Sequence, residues 1–180
     1  MTSGAKAVVE FWQSAGPQRW FASDAGFDAD FRERFEATHM AAARGEHAQW
    51  MDSAEGALAL LILLDQFPRN AYRGTAHSYA TDGLARQQAR RAVASGFDLE
   101  VEPSLRMFFY LPFEHSEQLA DQEEAMALFA GIGDAELMKY AVLHRDLIVR
   151  FGRFPHRNAA LGRESTQDEE DYLANGGFRG

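Results

Sequence analysis

Apolar side chains recur at three- and four-residue spacings along most of the chain, and no stretch alternates strictly for long enough to make a strand. The pattern predicts an all-α protein. A first helix is expected over Ala5 to Gln13, stopped by Gly16-Pro17. A second begins near Asp28, with Phe27, Phe31, Phe35, Thr38 and Ala42 on its inner face and Gly45 as its stop. The third, Ser53 to Phe67, is apolar almost all round, as a buried helix is. Pro68 is expected to end it by disfavouring helical geometry at Phe67. A fourth runs from Thr75 to Ser95 with Gly96 as its cap, and a short fifth follows Pro103. The sixth covers Phe113 to Ala130, the seventh Asp134 to Phe151, and a last short helix opens at Thr166-Gln-Asp-Glu169, a capping-box sequence. Connections are short and no linker is visible. The expectation is therefore one domain over residues 1–180, seven or eight helices in antiparallel pairs, tetratricopeptide-like, with a frayed tail at about 175–180.

Polar residues that fall on apolar stripes are the informative exceptions, because a buried polar group must find a partner. His144 sits at the centre of the stripe Leu137, Ala141, Leu147, Ile148 and Phe151; His115 and Gln122 share the face of Leu119, Met126 and Ala130; Asp65 shares that of Leu58, Leu61 and Ile62. His115 follows Pro112 at an expected helix start, where the dipole favours neutral imidazole. Glu114 and Glu117 flank it, Glu117 reading as a surface acid. His115 and His144 are thus candidate acid–base groups. Each equally fits a buried structural role, hydrogen-bonded to a backbone carbonyl or an arginine. A metal site is set aside: there is no paired ligand spacing, and Glu36-Ala-Thr-His39 is a single copy of a motif that di-iron bundles need twice.

Composition narrows the context. With 180 residues, 46% hydrophobic and 14 Phe, the chain can fill a core, and without cysteine it has neither disulfides nor thiolate metal sites. The first residues lack the layout of a signal peptide, and the longest apolar run, Ala57 to Leu64, is too short for a bilayer span, so a cytoplasmic address is expected. A net charge of −9 argues against nucleic-acid partners. Charge is nonetheless uneven. From His144 to Arg163, Arg145, Arg150, Arg153, Arg157 and Arg163 stand against the lone acid Asp146, a local balance of +4.

Two segments echo each other. Asp65-Gln-Phe-Pro-Arg-Asn70 and Gly152-Arg-Phe-Pro-His-Arg-Asn158 both follow an apolar helix and carry Phe-Pro, then Arg-Asn. Either they are helix-stop devices, with arginine complementing the dipole, or they are two loops converging on one anion. His144-Arg-Asp146 resembles the start of a kinase catalytic loop, but no glycine-rich loop or Asp-Phe-Gly accompanies it, and no Walker loop, Rossmann glycine set or Gly-x-Ser-x-Gly is present.

Taken together, Val9-Glu-Phe-Trp12, Trp20-Phe21, Ala59 through Asn70, Leu111-Pro-Phe-Glu-His-Ser-Glu117, His144-Arg-Asp146 and Gly152 through Asn158 resemble the bacterial family called domain of unknown function 924, from about Val8 to Phe178. The resemblance implies an all-helical, tetratricopeptide-like fold and assigns no activity, cofactor or catalytic residue.

Two functions compete. The first is a pocket for a small anionic ligand, with or without catalysis, with His115 and His144 as acid–base candidates and Asp65, Arg69, Asn70, Glu114, Gln122, Arg153, His156, Arg157 and Asn158 as ligand-binding candidates, and without metal or cofactor. The second is a non-catalytic module that binds a protein or peptide through exposed aromatics, for which Phe11, Trp12, Trp20 and Trp50 are the candidates, although rings of this size more readily belong to the core. No nucleic-acid or membrane partner is expected.

Overall fold

The chain resolves into two compact units, Met1–Arg73 with His77–Pro112 and Gly74–Ala76 with Phe113–Gly180. This computed structural model describes residues 4–180, so residues 1–3 of the expected 1–180 domain lie outside the described residues. Among the described residues every regular element is helical and none is a strand.

The first unit begins with α1 (Gly4–Ala15), a short α2 (Pro17–Trp20) and α3 (Ala25–Ala43). Asp24, rather than Asp28, starts α3: its carboxylate accepts from the amides of Gly26 and Phe27, which otherwise lack partners in a first turn. The core here is aromatic. Trp12, Phe31 and Phe108 are fully enclosed, and the Trp20 indole donates to the Trp12 carbonyl at 2.7 Å. Of the four rings named as peptide-binding candidates, Trp12 and Trp20 are therefore core, as their size and apolar neighbours favour, and are unavailable to a partner. Phe11 is half-buried and stacks on Phe27 and Phe31, and Trp50 is half-buried against His47.

The third helix does not stop at Pro68. It runs as α4 (Ala54–Leu61), widens into a π turn over Ile62–Gln66, and continues as α5 (Phe67–Ala71). In the π turn the Phe67 amide reaches back to the Ile62 carbonyl, five residues away. The wide turn removes the Leu63 carbonyl's ordinary donor, and Pro68 has no N–H to offer Leu64. Both carbonyls are satisfied from outside the helix. His39 Nδ1 bonds Leu63 O at 2.8 Å and Thr81 Oγ1 donates to Leu64 O at 2.5 Å. One residue on, Arg69 donates to Asp65 O at 2.5 Å. The proline is accommodated because two side chains, His39 and Thr81, replace the backbone donors its turn lacks.

A test follows. Thr81→Val should cost about 1–2 kcal/mol in urea unfolding, the usual penalty for an orphaned buried carbonyl. In a Pro68→Ala background, where residue 68 regains an N–H, that penalty should shrink. Equal penalties in both backgrounds would contradict this account.

The expected fourth helix is also divided: a 3-10 turn at Ala76–Tyr79 precedes α6 (Asp82–Ala94). Further 3-10 turns at Phe97–Leu99 and Pro103–Phe109 carry the chain to α7 (Leu111–Glu114).

In the second unit α8 (Leu119–Ile132) and α9 (Ala135–Phe151) pack on each other through the turn at Gly133 and Asp134, and α10 (Gln167–Ala174) follows a 3-10 turn at Pro155–Arg157. The Thr166–Glu169 capping box forms. The expected sixth helix is broken at residues 115–118, where Ser116 Oγ bonds Asp121 and accepts the Gln118 amide. His115 thus follows the end of α7 instead of opening a helix, and the helix-start argument for its neutral form does not apply. Leu147, Ile148 and Phe154 form the buried centre of this unit, with Phe151, Tyr172 and Phe178 packed against it. The tail expected to fray leaves helical geometry after Ala174 but seats Phe178 in that cluster.

No helix among the described residues is long and apolar enough to cross a membrane.

Candidate functional site

In the first unit the polar candidates are committed to one another. Arg69 lies between two carboxylates, Asp65 at 3.2 Å and Asp82 at 3.0 Å. Burial opposes its charge, but Asp65 and Asp82 outweigh that and hold its pKa above the ordinary arginine value. Asp65 also accepts from Gln66 Nε2 at 2.6 Å. Asn70 donates to Asp28 at 2.7 Å, and Arg73 grips the same carboxylate with Nε and a terminal nitrogen. His39 is fully buried and stacked on Phe67; desolvation is the main reason its pKa falls below the usual histidine value.

In the second unit a comparable set of ion pairs ties the chain after α9 to the segment before α8 and to α10. Glu117, expected on the surface, accepts two guanidinium bonds from Arg163 at 2.7 and 2.9 Å and the Phe154 amide at 2.8 Å. It is only half exposed, and although burial works the other way, Arg163 and the Phe154 amide hold its carboxyl below the usual range. Arg153 makes a bidentate pair with Glu169 at 2.6 and 2.8 Å, which, with the Thr166 amide, brings Glu169 down to about 2. Asn158 donates to Glu169 and Ser165 and accepts from Arg163. The Phe-Pro echo thus has a shared structural content: in each unit the closing asparagine, Asn70 or Asn158, ties its segment to a carboxylate on another helix. The backbone differs, α-helical in one and 3-10 in the other.

What remains is a cluster around His144. α9 carries its imidazole inward, 7% exposed, and Glu114, 3% exposed, arrives from the end of α7. His144 Nδ1 lies 2.9 Å from the Tyr140 carbonyl and 3.1 Å from Glu114 Oε1. A carbonyl only accepts, so Nδ1 carries the hydrogen and the neutral ring presents Nε2 as a bare base. Burial, with smaller contributions from His115, His156 and Arg157, pushes the pKa of His144 down to about 3, so the imidazole that faces Glu114 is neutral. The His115 ring stands 6.2 Å away. Phe154 and Phe178 stand edge-on to His144 at 5.5 and 4.8 Å, and each also contacts His156, at 5.6 and 5.4 Å. The Arg157 guanidinium lies over the Phe154 ring at 4.5 Å. Gln122 holds the segment between, its Nε2 donating to the carbonyls of Glu114 and Ser116 at 2.6 Å each.

Of the sequence candidates, His115, His144, Glu114, Gln122, His156 and Arg157 therefore gather in the second unit. Arg153 and Asn158 are spent on Glu169, and Asp65, Arg69 and Asn70 on partners in the first unit. Three contributors had no signal in the sequence reading: Phe178, placed in a tail that looked featureless; the Tyr140 carbonyl; and Glu117 with Arg163, 46 residues apart. Among the described residues no group of three or more His, Cys, Asp or Glu side chains is arranged to hold a metal ion.

Comparison with known proteins gives three results. The family model described as a bacterial protein of unknown function, DUF924, matches residues 8–177. A solved structure, of a protein of unknown function from Agrobacterium tumefaciens, is 51% identical, covers 96% of this chain and 97% of its own, and superposes with a TM-score of 0.93. None of the curated proteins matches.

Proposed function

The chain belongs to the bacterial DUF924 family, whose function is unknown, and on that premise we propose that its second unit binds a small anionic ligand and moves a proton on it with His144. The carrying observation is the hydrogen bond from His144 Nδ1 to Tyr140 O, with Glu114 Oε1 3.1 Å from the same nitrogen, which fixes the tautomer and leaves Nε2 as the reactive nitrogen. Glu114 orients that ring, and His115, His156 and Arg157 supply the field that attracts an anion.

Burial, reinforced by that field, makes His144 a weak base near neutral pH. An anion beside His115 and Arg157 offsets the smaller, electrostatic part of that depression and so raises the basicity of His144.

Imidazole NMR tests this. Inorganic phosphate, or a small dicarboxylate, should raise the pKa of His144 by about one unit or more. It should also raise the melting temperature of the wild-type protein and not that of His144→Gln. A His144 titration unmoved by either anion would remove the proposal.

A further inference from the structure

Residues 175–180 carry no regular structure, yet they are fastened and they cover something. The fastening is to α10. The Phe178 amide donates to the Tyr172 hydroxyl at 2.9 Å, the Gly177 amide to the Tyr172 carbonyl at 3.0 Å, and Arg179 to the Leu173 carbonyl at 2.7 Å. Gly177 is required by proximity: a Cβ there would lie 2.5 Å from both the Tyr172 carbonyl and its ring. α10 is itself pinned by the pairs of Arg153 with Glu169 and Arg150 with Asp168. The covering is by Phe178, whose ring meets His144 at 4.8 Å and His156 at 5.4 Å, both nearly perpendicular. At Gly180 an added Cβ would lie 3.2 Å from the His156 ring.

We propose that residues 175–180 are a strap whose Phe178 ring closes over His144 and against His156, so that ligand access to the buried His144 imidazole requires the strap to lift. The strap has the features of a segment that opens on its own. No helix or sheet ladder holds it, its hydrogen bonds all run to one short helix, and a single apolar side chain provides its grip on the core. Lifting it breaks the hydrogen bonds of Phe178 and Arg179 to α10 and one aromatic seat while leaving α10 and its ion pairs in place. The purpose assigned to this closure rests on the reading of His144 as the base of the site; the closure itself is measurable without any ligand.

Carbethoxylation by diethyl pyrocarbonate, followed residue by residue by mass spectrometry at neutral pH, reads the access directly, since the reagent needs a neutral, reachable imidazole. Phe178→Ala should speed modification of both His144 and His156 by about tenfold or more, with His47 and His77 of the first unit unchanged as internal references. Tyr172→Phe removes only the hydroxyl that anchors the Phe178 amide and should give a smaller, equally selective increase. If Phe178→Ala accelerated all four histidines together, the decision would pass to Tyr172→Phe, where selective acceleration supports the strap and an unchanged His144 rate overturns it. An unchanged His144 rate in Phe178→Ala overturns it as well. These rates distinguish the two proposals: a strap that opens as expected over a His144 that no anion perturbs would leave the closure standing and remove only the proton-transfer reading.

Discussion

Acid should weaken this protein well before its carboxylates titrate. His144 has a folded pKa of about 3 against about 6.5 in an unfolded chain, so between those values the unfolded state holds a proton that the folded state does not. Stability therefore rises with pH across that window and falls on acidification, by at most about 1.4 kcal/mol per pH unit for one such group. From pH 6.5 to pH 4.5 His144 alone contributes a loss of about 2.5 kcal/mol. His39 shifts in the same direction, because burial is again the leading cause and its Nδ1 is committed to the Leu63 carbonyl. Glu117 and Glu169, whose folded pKa values are depressed, add their own loss only below the ordinary carboxylate range. Urea unfolding at pH 7.0, 5.5 and 4.5 measures the slope, and His144→Gln should flatten it by its own share. Equal stability at pH 7.0 and 4.5 would show that neither imidazole is held neutral.

The second large effect is expected at Gly56. This residue sits in the first turn of α4, where its amide donates to the N-cap hydroxyl of Ser53, and α4 packs there on the 3-10 turn Ala48–Asp52. A Cβ at this position would lie 2.1 Å from the Trp50 carbonyl oxygen and 2.9 Å from its carbon. Both obstructing atoms are backbone, so no rotamer change relieves the overlap and the turn itself must move. Gly56→Ala should therefore cost about 3 kcal/mol or more, in spite of alanine's better helix propensity. For a chain of this length that lowers the melting temperature by about 10 °C. Gly83→Ala provides the contrast: it lies early in α6 with open space around it, and should be neutral or stabilising by up to about 1 kcal/mol. Similar melting temperatures for the two variants would rule out close approach as the reason for glycine at position 56.

How much was legible in the sequence follows from which signals are local. The helices were legible because burial imposes a 3.6-residue period, and His144 stood out because a polar side chain interrupts that period at its most buried point. Asp24 and Ser53 start their helices by the usual capping chemistry. Pro68 was misread for a physical reason: one proline looks the same whether it ends a helix or follows a π turn, and the difference lies in His39 and Thr81, 29 residues before it and 13 after it. The break at residues 115–118 depends on Ser116 and Gln122 offering alternative partners to the backbone, which a count of apolar positions does not register. The tail misled because Asn175-Gly-Gly-Phe-Arg-Gly180 has the composition of a loose end, and its one apolar residue sits on the core. Glu117 and Arg163 had no sequence cue at all; nothing in two separate charged positions announces that they will meet.

The π turn also fixes the chain's length there. A π turn holds one residue more than an α turn in the same rise, so it acts as an inserted residue absorbed without a loop. Shortening 62–66 by one residue would let the helix close up regularly, but everything beyond would rotate by about 100° about the axis. Arg69 would swing off Asp82 and Asn70 off Asp28, while a restored backbone bond would evict His39 from the Leu63 carbonyl. Homologues should therefore tolerate gaps on either side of this helix far more readily than within it, because here an indel alters the direction of side chains as well as the length of the chain.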